Sequence, residues 1–286
     1  MIRPLVIPYL ALAFSGLLGA CSAMKDTGPD DYLNRAKELI KAEEYQSAKL
    51  YIDSVRILFP KEYDKIREGM TIMREVNFSE QKRTLIYCDS LLKVRQNELP
   101  AASKNFVFQK NATYESLGHY IPKSQLTENN YGRTYLQAKV DEKGRLVLTS
   151  YYCGPKSLNH TKIKAYTKDG LFAESNVVQQ DGALNYSFRD GGLQYEIVRF
   201  TDKTENGVVN FILLHTDVPV TIELSGNRNR TYPLSLQDKT ALKATANLSV
   251  ILSDINRLLN EIRLAQAKLD YLYSKQHSKV LDDSIQ

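Results

Sequence analysis

The sequence predicts an α+β protein: an N-terminal helical hairpin, long antiparallel coiled-coil helices, and an antiparallel β-sandwich inserted between those helices. Two patterns carry this prediction. Apolar residues follow helical spacing over residues 31–98 and 236–275, whereas residues 106–232 alternate apolar and polar positions between turn signals. Because no helical stretch separates the predicted strands, antiparallel sheets are expected rather than parallel ones.

The first residues have the pattern of a secretory signal. Arg3 makes the start basic, and the apolar run from Leu5 to Ala20 is shorter than the roughly 20 residues that a membrane-spanning helix needs. The run ends in Leu18-Gly19-Ala20-Cys21, which resembles the lipobox of bacterial lipoproteins. The resemblance implies that residues 1–20 are removed as a signal peptide. It also implies that Cys21 carries palmitate-type acyl chains that anchor the protein to a membrane.

The residues after the anchor indicate a destination and a tether. Ser22 stands where an aspartate is associated with retention in the inner membrane, so the cell envelope's outer membrane is expected, on either its periplasmic or its surface face. Residues 21–30 are small and polar with a Gly28-Pro29 break, which predicts a tether.

Residues 31–60 predict two short helices, Asp31 to Ala42 and Tyr45 to Leu58, ended by Pro60. Aromatic and small residues recur at positions that resemble one tetratricopeptide repeat: Tyr32, Ala36, Leu39, Tyr45, Ala48 and Tyr51. The resemblance implies close packing of the two helices. A peptide-binding array needs about three repeats, and an unrelated antiparallel hairpin remains open.

Two long helices are predicted on either side of the β-domain. The first covers 61–100, with a possible interruption near Asn77-Phe78-Ser79 and an end at Pro100. The second covers 235–276, where apolar residues keep a heptad spacing from Ala241 to Leu272. Small alanines on that seam favour antiparallel pairing within one chain, while a parallel homodimer remains open. Residues 277–286 are expected to form a flexible tail.

Residues 101–234 are predicted to form the β-domain. Turn signals at Asp169-Gly170, Asp181-Gly182, Asn206-Gly207 and similar sites recur about every ten residues, as in an antiparallel sandwich or barrel. The predicted strands are Thr134–Val140, Arg145–Tyr152, Thr161–Tyr166, Ala183–Phe188, Leu193–Phe200, Val208–Leu214 and Pro219–Leu224.

Charge and cysteine content limit the possible partners. The chain has 38 basic and 33 acidic residues, and removing Arg3 with the signal lowers the net charge from +5 to +4. Such a small, dispersed surplus gives no reason to expect a nucleic-acid partner. Cys88 and Cys153 remain after lipidation of Cys21, and either a disulfide or two separate thiols is compatible with an oxidising compartment.

No motif indicates an enzyme, a metal site or a cofactor. The four histidines, His119, His160, His215 and His277, lack ligand spacing, and no nucleophile elbow or phosphate-binding loop occurs. A calcium site could be assembled from Asp169, Asp181 and Asp190, but their positions before glycines are typical of turns. The expectation is a non-enzymatic protein without metal or cofactor.

Tyrosine is the one compositional excess, with 18 residues and no tryptophan. A possible ligand face is expected to include Tyr131, Tyr151, Tyr152 and Tyr186. Tyrosine joins an apolar face to a polar tip, which suits glycan or peptide contact, but it is also an ordinary strand former.

The leading functional hypothesis is a lipid-anchored, non-enzymatic scaffold or binding protein of the cell envelope, whose β-domain on a helical stalk contacts an envelope protein or glycan. The alternative is a surface glycan-binding lipoprotein that uses a Tyr-rich sandwich face. An unrecognised hydrolase is a third reading, and it needs carboxylates and a histidine in one pocket. Three tripeptides resemble O-glycosylation acceptors of Bacteroidota, at Asp53-Ser54-Val55, Asp89-Ser90-Leu91 and Asp283-Ser284-Ile285.

Overall fold

The computed structural model describes residues 28–283 except Ala112 and Tyr114. Cys21, the signal and most of the tether therefore lie outside the described residues, as does Ser284. The described residues form five α-helices: α1 (Pro29–Lys41), α2 (Tyr45–Leu58), α3 (Tyr63–Ser103), α4 (Val208–Leu214) and α5 (Leu236–Asp283). Among the described residues, no helix combines the length and apolarity needed to cross a membrane.

In the described part of the chain, ten strands form two antiparallel sheets. The strands are β1 (Phe106–Gln109), β2 (His119–Pro122), β3 (Tyr135–Asp141), β4 (Leu146–Gly154), β5 (Lys162–Thr167), β6 (Phe172–Glu174), β7 (Asn185–Asp190), β8 (Leu193–Phe200), β9 (Val220–Ser225) and β10 (Arg230–Pro233). One sheet has six strands in the order β1-β2-β3-β4-β8-β7, and the other has four in the order β10-β9-β5-β6. Neighbouring strands run antiparallel throughout.

The chain divides into two compact units. The helical unit comprises the residues up to Arg83 and those from Lys268 onward. Its core is the packed hairpin of α1 and α2, where Ala36 and Ala48 are completely buried and let the helices approach closely. Ile72 and Val76 of α3 complete that core. The close hairpin packing expected from the small residues is confirmed.

The β-unit spans Thr84 to Ala267, and its two sheets pack face to face. Leu148 and Val198 of the six-stranded sheet share one core with Ile163 and Ile222 of the four-stranded sheet. Ile212 of α4 is buried in the same core. The predicted α+β class with an antiparallel sandwich is therefore confirmed, and the sheets do not close into a barrel.

Within the β-unit, α3 and α5 pack as an antiparallel pair. Cys88 and Leu92 of α3 contact Leu258 of α5, and the Arg95 Nε donates to a carboxylate oxygen of Asp254 at 2.9 Å. The partner numbers fall along α5 as those along α3 rise, which defines the antiparallel direction. The antiparallel coiled-coil pairing within one chain is confirmed.

One predicted strand is wrong, because residues Val208–Leu214 form the short helix α4. Val208, Val209 and Ile212 are buried together, and their spacing of one and three residues fits one side of a helix. Asn206 and Gly207 do adopt positive φ, at 48° and 83°, but they lead into a helix and not into a hairpin.

Several predicted element ends also differ. Pro100 lies inside α3, where its exposed ring removes one hydrogen bond only a turn before the helix ends at Ser103. Helix α3 is continuous through Asn77, and α5 passes residue 275 to reach Asp283, within the segment expected to be a tail. Strands β1, β2, β6 and β10 have three or four residues, too few for alternation to reveal them.

Candidate ligand-binding face

The candidate site is the face of the six-stranded sheet that points away from the sandwich core. Side chains of a strand alternate between the two faces, so Tyr151 of β4 and Tyr186 of β7 share this outer face with Tyr195 of β8. Tyr131 reaches the same face from the loop before β3. Three of the four tyrosines predicted as a ligand face, Tyr131, Tyr151 and Tyr186, are therefore on one side of the sheet.

Tyr152 is on the opposite side. It is 6% exposed within the sandwich core, and its hydroxyl donates to the Lys156 carbonyl at 2.7 Å. Because Tyr151 and Tyr152 are adjacent in one strand, they must point to opposite faces. Tyr152 therefore cannot belong to a ligand face that includes Tyr151.

Tyr151 is half-buried and packs against its neighbours. Its ring stacks on Tyr135 with 4.8 Å between centroids, and its hydroxyl lies 3.4 Å from the Gln137 side-chain oxygen. Burial raises the pKa of the Tyr151 hydroxyl above its ordinary value, so this group stays neutral. The Tyr151 side chain is packed against its neighbours in this face and exposes little surface to a ligand.

Tyr186 is held by Arg199. The guanidinium lies 5.3 Å from the Tyr186 ring centroid, and its Nη2 donates to the Tyr186 hydroxyl at 3.3 Å. Arg199 also donates to the Ala183 carbonyl at 3.0 Å. These contacts occupy both the ring and the hydroxyl of Tyr186.

The exposed part of the face is an aromatic corner formed by Tyr131, Phe188 and Tyr195. The Tyr195 ring stacks on Phe188 at 5.0 Å and lies 5.3 Å from Tyr131. Tyr131 is 61% exposed and Phe188 43%, whereas Tyr195 is buried beside them. Sequence reasoning missed Phe188 and Tyr195 as site residues, although both occupy outward positions in their strands.

One carboxylate fixes the position of Tyr131 in the corner. The Tyr131 hydroxyl donates to Asp190, and this hydrogen bond is the main reason that the pKa of Tyr131 is raised. Asp190 precedes Gly191 and Gly192, which turn the chain from β7 into β8 at φ values of 55° and 82°. Asp190 therefore serves as a turn residue and as an anchor for an exposed ring.

A second arrangement resembles a catalytic triad in its bonding. His160 Nε2 lies 2.7 Å from Ser150 Oγ, and His160 Nδ1 lies 2.7 Å from a Glu196 carboxylate oxygen. Sequence reasoning missed this contact because 36 residues separate His160 from Glu196. All three side chains are buried, with Ser150 and His160 at 0% exposure. A substrate carbonyl cannot reach Ser150 Oγ in this arrangement.

Glu196 also anchors the loop that precedes β5. Its carboxylate accepts hydrogen bonds from the backbone N–H groups of Leu158, Asn159 and His160 at 2.6, 2.8 and 3.0 Å, and from the Ser157 hydroxyl at 2.9 Å. Burial opposes the charge, but the bonds from His160, Asn159 and Ser157 outweigh it and lower the pKa of Glu196 to about 2. The network holds a loop in place.

A fluorophosphonate probe is therefore expected to leave Ser150 unmodified in the folded protein, because its hydroxyl is completely buried. Intact-mass spectrometry after incubation measures this directly, with an active serine hydrolase treated in parallel as the control. Stoichiometric labelling at Ser150 contradicts the interpretation of this network as a structural anchor.

The remaining predicted site residues do not converge. Asp181 accepts three backbone N–H bonds of its own turn at 2.8 to 2.9 Å, and Asp169 accepts the Thr167 hydroxyl, as turn residues do. Burial lowers the pKa of the His119 imidazole below its ordinary value. In the described part of the chain, no cluster of histidine, cysteine and acidic side chains is suited to hold a metal ion.

The two described cysteines are free thiols. Cys88 is buried between α3 and α5, and Cys153 is half-buried near the end of β4. The disulfide that the sequence left open is not formed. Of the possible glycosylation serines, Ser54 and Ser90 lie on helices, where each hydroxyl donates to the carbonyl four residues earlier.

Comparison with known proteins identifies no family: no family model, no curated protein and no solved structure matches this chain.

Proposed function

We propose that this protein is a lipid-anchored cell-envelope protein that acts without catalysis, as a scaffold or binding protein. Its anchor is the acylated Cys21 of the lipobox-like sequence, and the outer membrane is its location. The partner contact is made by the β-unit. The observation that carries the proposal is the aromatic corner of Tyr131, Phe188 and Tyr195.

The corner supports a binding role because part of its aromatic surface is exposed to solvent. Tyr131 is 61% exposed and Phe188 43%, whereas the neighbouring outward tyrosines Tyr151 and Tyr186 are half-buried and packed. Aromatic side chains have few rotatable bonds, so they contact a partner at little cost in conformational entropy, and they are enriched at protein interfaces.

The exposure pattern favours a protein partner over a glycan. A Tyr-rich glycan face needs several tyrosine rings available on one side. Of the four predicted residues only Tyr131 is largely exposed, Tyr151 and Tyr186 are half-buried, and Tyr152 is in the core. The aromatic corner is small and apolar, which suits an anchor residue of a protein.

The proposal is tested by capturing partners of the lipidated protein from envelope fractions and quantifying them by mass spectrometry. The double variant Tyr131→Ala, Phe188→Ala is expected to lower recovery of a defined protein partner by roughly tenfold or more, because truncating an aromatic hot spot of an interface costs about 2 kcal/mol or more. Phe172→Ala is the matched control, since Phe172 is a 59% exposed aromatic on the other sheet.

Two outcomes contradict the proposal. Equal recovery of all partners by the wild-type protein and the double variant contradicts a role of the aromatic corner in partner binding. Mass spectrometry that finds no acyl chains on Cys21 in the membrane fraction contradicts the lipid anchor. Retention on envelope polysaccharide alone favours the glycan alternative.

A further inference from the structure

Helix α2 has apolar residues on two sides. Ala48, Ile52 and Val55 face the core of the hairpin. A second stripe of apolar residues faces solvent. It consists of two pairs of neighbours seven positions apart, and seven residues are close to two helical turns, so both pairs lie on one side of the helix. Its members and their exposed fractions are Leu50 (69%), Tyr51 (38%), Ile57 (70%) and Leu58 (54%).

This stripe continues onto α1 as a shallow groove. Tyr32 and Arg35 of α1 line a cavity of about 470 Å³ together with Leu50, Tyr51 and Ser54 of α2. The Tyr32 ring centroid lies 5.9 Å from that of Tyr51, so the aromatic surface bridges both helices. A helix of a globular protein normally has one apolar stripe, so the second stripe, here named the open face, indicates a contact outside the fold.

If Cys21 is acylated, as the proposed function has it, the chain path places the open face close to a membrane. The membrane contact proposed below rests on that acylation. Eight peptide steps separate Cys21 from Pro29, the first residue of α1. Even a fully extended chain of this length spans no more than about 30 Å. Tyr32, which lines the groove of the open face, is only three residues further along.

We propose that the open face of the hairpin lies on the lipid surface as a second membrane contact. Leu50 and Ile57 enter the boundary between headgroups and acyl chains, and Tyr51 occupies the headgroup level, where aromatic rings with a polar tip are enriched. An apolar face beside the anchor adds buried apolar area to that of the acyl chains and so strengthens attachment.

The charges around the open face indicate that the contact is apolar. The Arg35 guanidinium is paired with Glu38 at 2.8 Å, and Arg56 lies 3.9 Å from Asp53. The Asp31 carboxylate, which also lines the groove, accepts the Gly28 backbone N–H at 3.1 Å. Because acidic partners offset these cations, the face does not require anionic lipid. Binding is therefore expected on phosphatidylcholine vesicles and is expected to change little with salt.

The absence of tryptophan from the sequence allows a clean test. The variant Ile57→Trp places a single reporter on the open face, at a site exposed enough to accept the larger side chain. The chain from residue 22 is held through an N-terminal histidine tag on phosphatidylcholine vesicles that contain a nickel-chelating lipid. Tryptophan emission is expected to shift to the blue and to be quenched by brominated phosphatidylcholine.

Ile86→Trp is the matched control, because Ile86 is also 70% exposed on a helix but belongs to the other unit. Its emission is expected to stay unquenched. Adding Leu50→Glu to Ile57→Trp is expected to abolish the quenching while circular dichroism remains unchanged, since Leu50 lies outside the core.

The outcomes separate this inference from the lipoprotein proposal. Unquenched Ile57→Trp emission on vesicles overturns the membrane contact and leaves the anchor untouched. A blue shift without vesicles also overturns it, because it indicates that a second copy covers the face. Since the tag supplies the tether, failure to find acylated Cys21 in cells overturns the anchor alone.

Discussion

Replacing Glu196 with Gln is expected to lower the free energy of unfolding by about 3–5 kcal/mol. The Glu196 carboxylate accepts five hydrogen bonds from residues 157–160, and both of its oxygens are used. An amide in its place turns one acceptor into a donor that faces other donors. At 1% exposure, no water can replace the lost bonds.

The pH dependence of stability provides a second readout of the same network. The pKa of Glu196 falls from an ordinary 4.5 to about 2 in the folded protein. A lowered folded-state pKa adds stability above the unfolded-state value, so the full contribution is present above pH 4.5. It is lost as the pH falls from about 4.5 to about 2, and it amounts to roughly 3 kcal/mol.

Urea unfolding of the wild-type protein and Glu196→Gln across this pH range measures both effects. The variant is expected to lack this acid-dependent loss. Glu174→Gln is the matched control, since Glu174 forms a partly exposed ion pair with Lys162 at 2.8 Å, and a change below about 1 kcal/mol is expected. Equal stabilities for the two variants contradict the assigned role of Glu196.

The Glu196 network illustrates what the sequence can and cannot predict. Alternation and Asp-Gly turns are local signals, and they placed strands such as β5 and β8 within a residue or two of their observed bounds. The contact between Glu196 and the loop before β5 joins residues more than 35 positions apart, and no local pattern encodes it. For this reason the sequence indicates His160 only as an isolated histidine.

The candidate ligand-binding face likewise combines features that a local sequence pattern predicts with features that it does not. Neighbouring side chains of a strand point to opposite faces of the sheet, so the sequence alone is enough to place Tyr151 and Tyr152 on different faces. The aromatic corner cannot be predicted from such a local pattern, because Tyr131 lies in a loop 64 positions before Tyr195. Helix α4 was missed because a seven-residue apolar segment fits either a buried strand or a helix.

Replacing Gly144 with Ala is expected to destabilise the β-unit by about 3–5 kcal/mol. Gly144 turns the chain between β3 and β4 at a φ of 81°, where a side chain is strained. Its carbonyl accepts hydrogen bonds from Ser249 and Ser253 of α5 at 2.6 and 3.2 Å. An added Cβ at this position lies 2.6 Å from the Ser249 carbonyl oxygen and closer still to Ser253.

A comparison with Gly170 distinguishes the two causes of the expected destabilisation, which are backbone strain at positive φ and the contact of the added Cβ with α5. It has a similar φ of 90°, but apart from the adjoining residues no atom of the described part of the chain lies within 4 Å of the position of an added Cβ. Gly170→Ala therefore carries only the backbone strain, about 1–2 kcal/mol. Thermal and urea unfolding of both variants measure the difference. A cost for Gly144→Ala no larger than that for Gly170→Ala contradicts the close packing of this turn on α5, because only that packing distinguishes the two glycines.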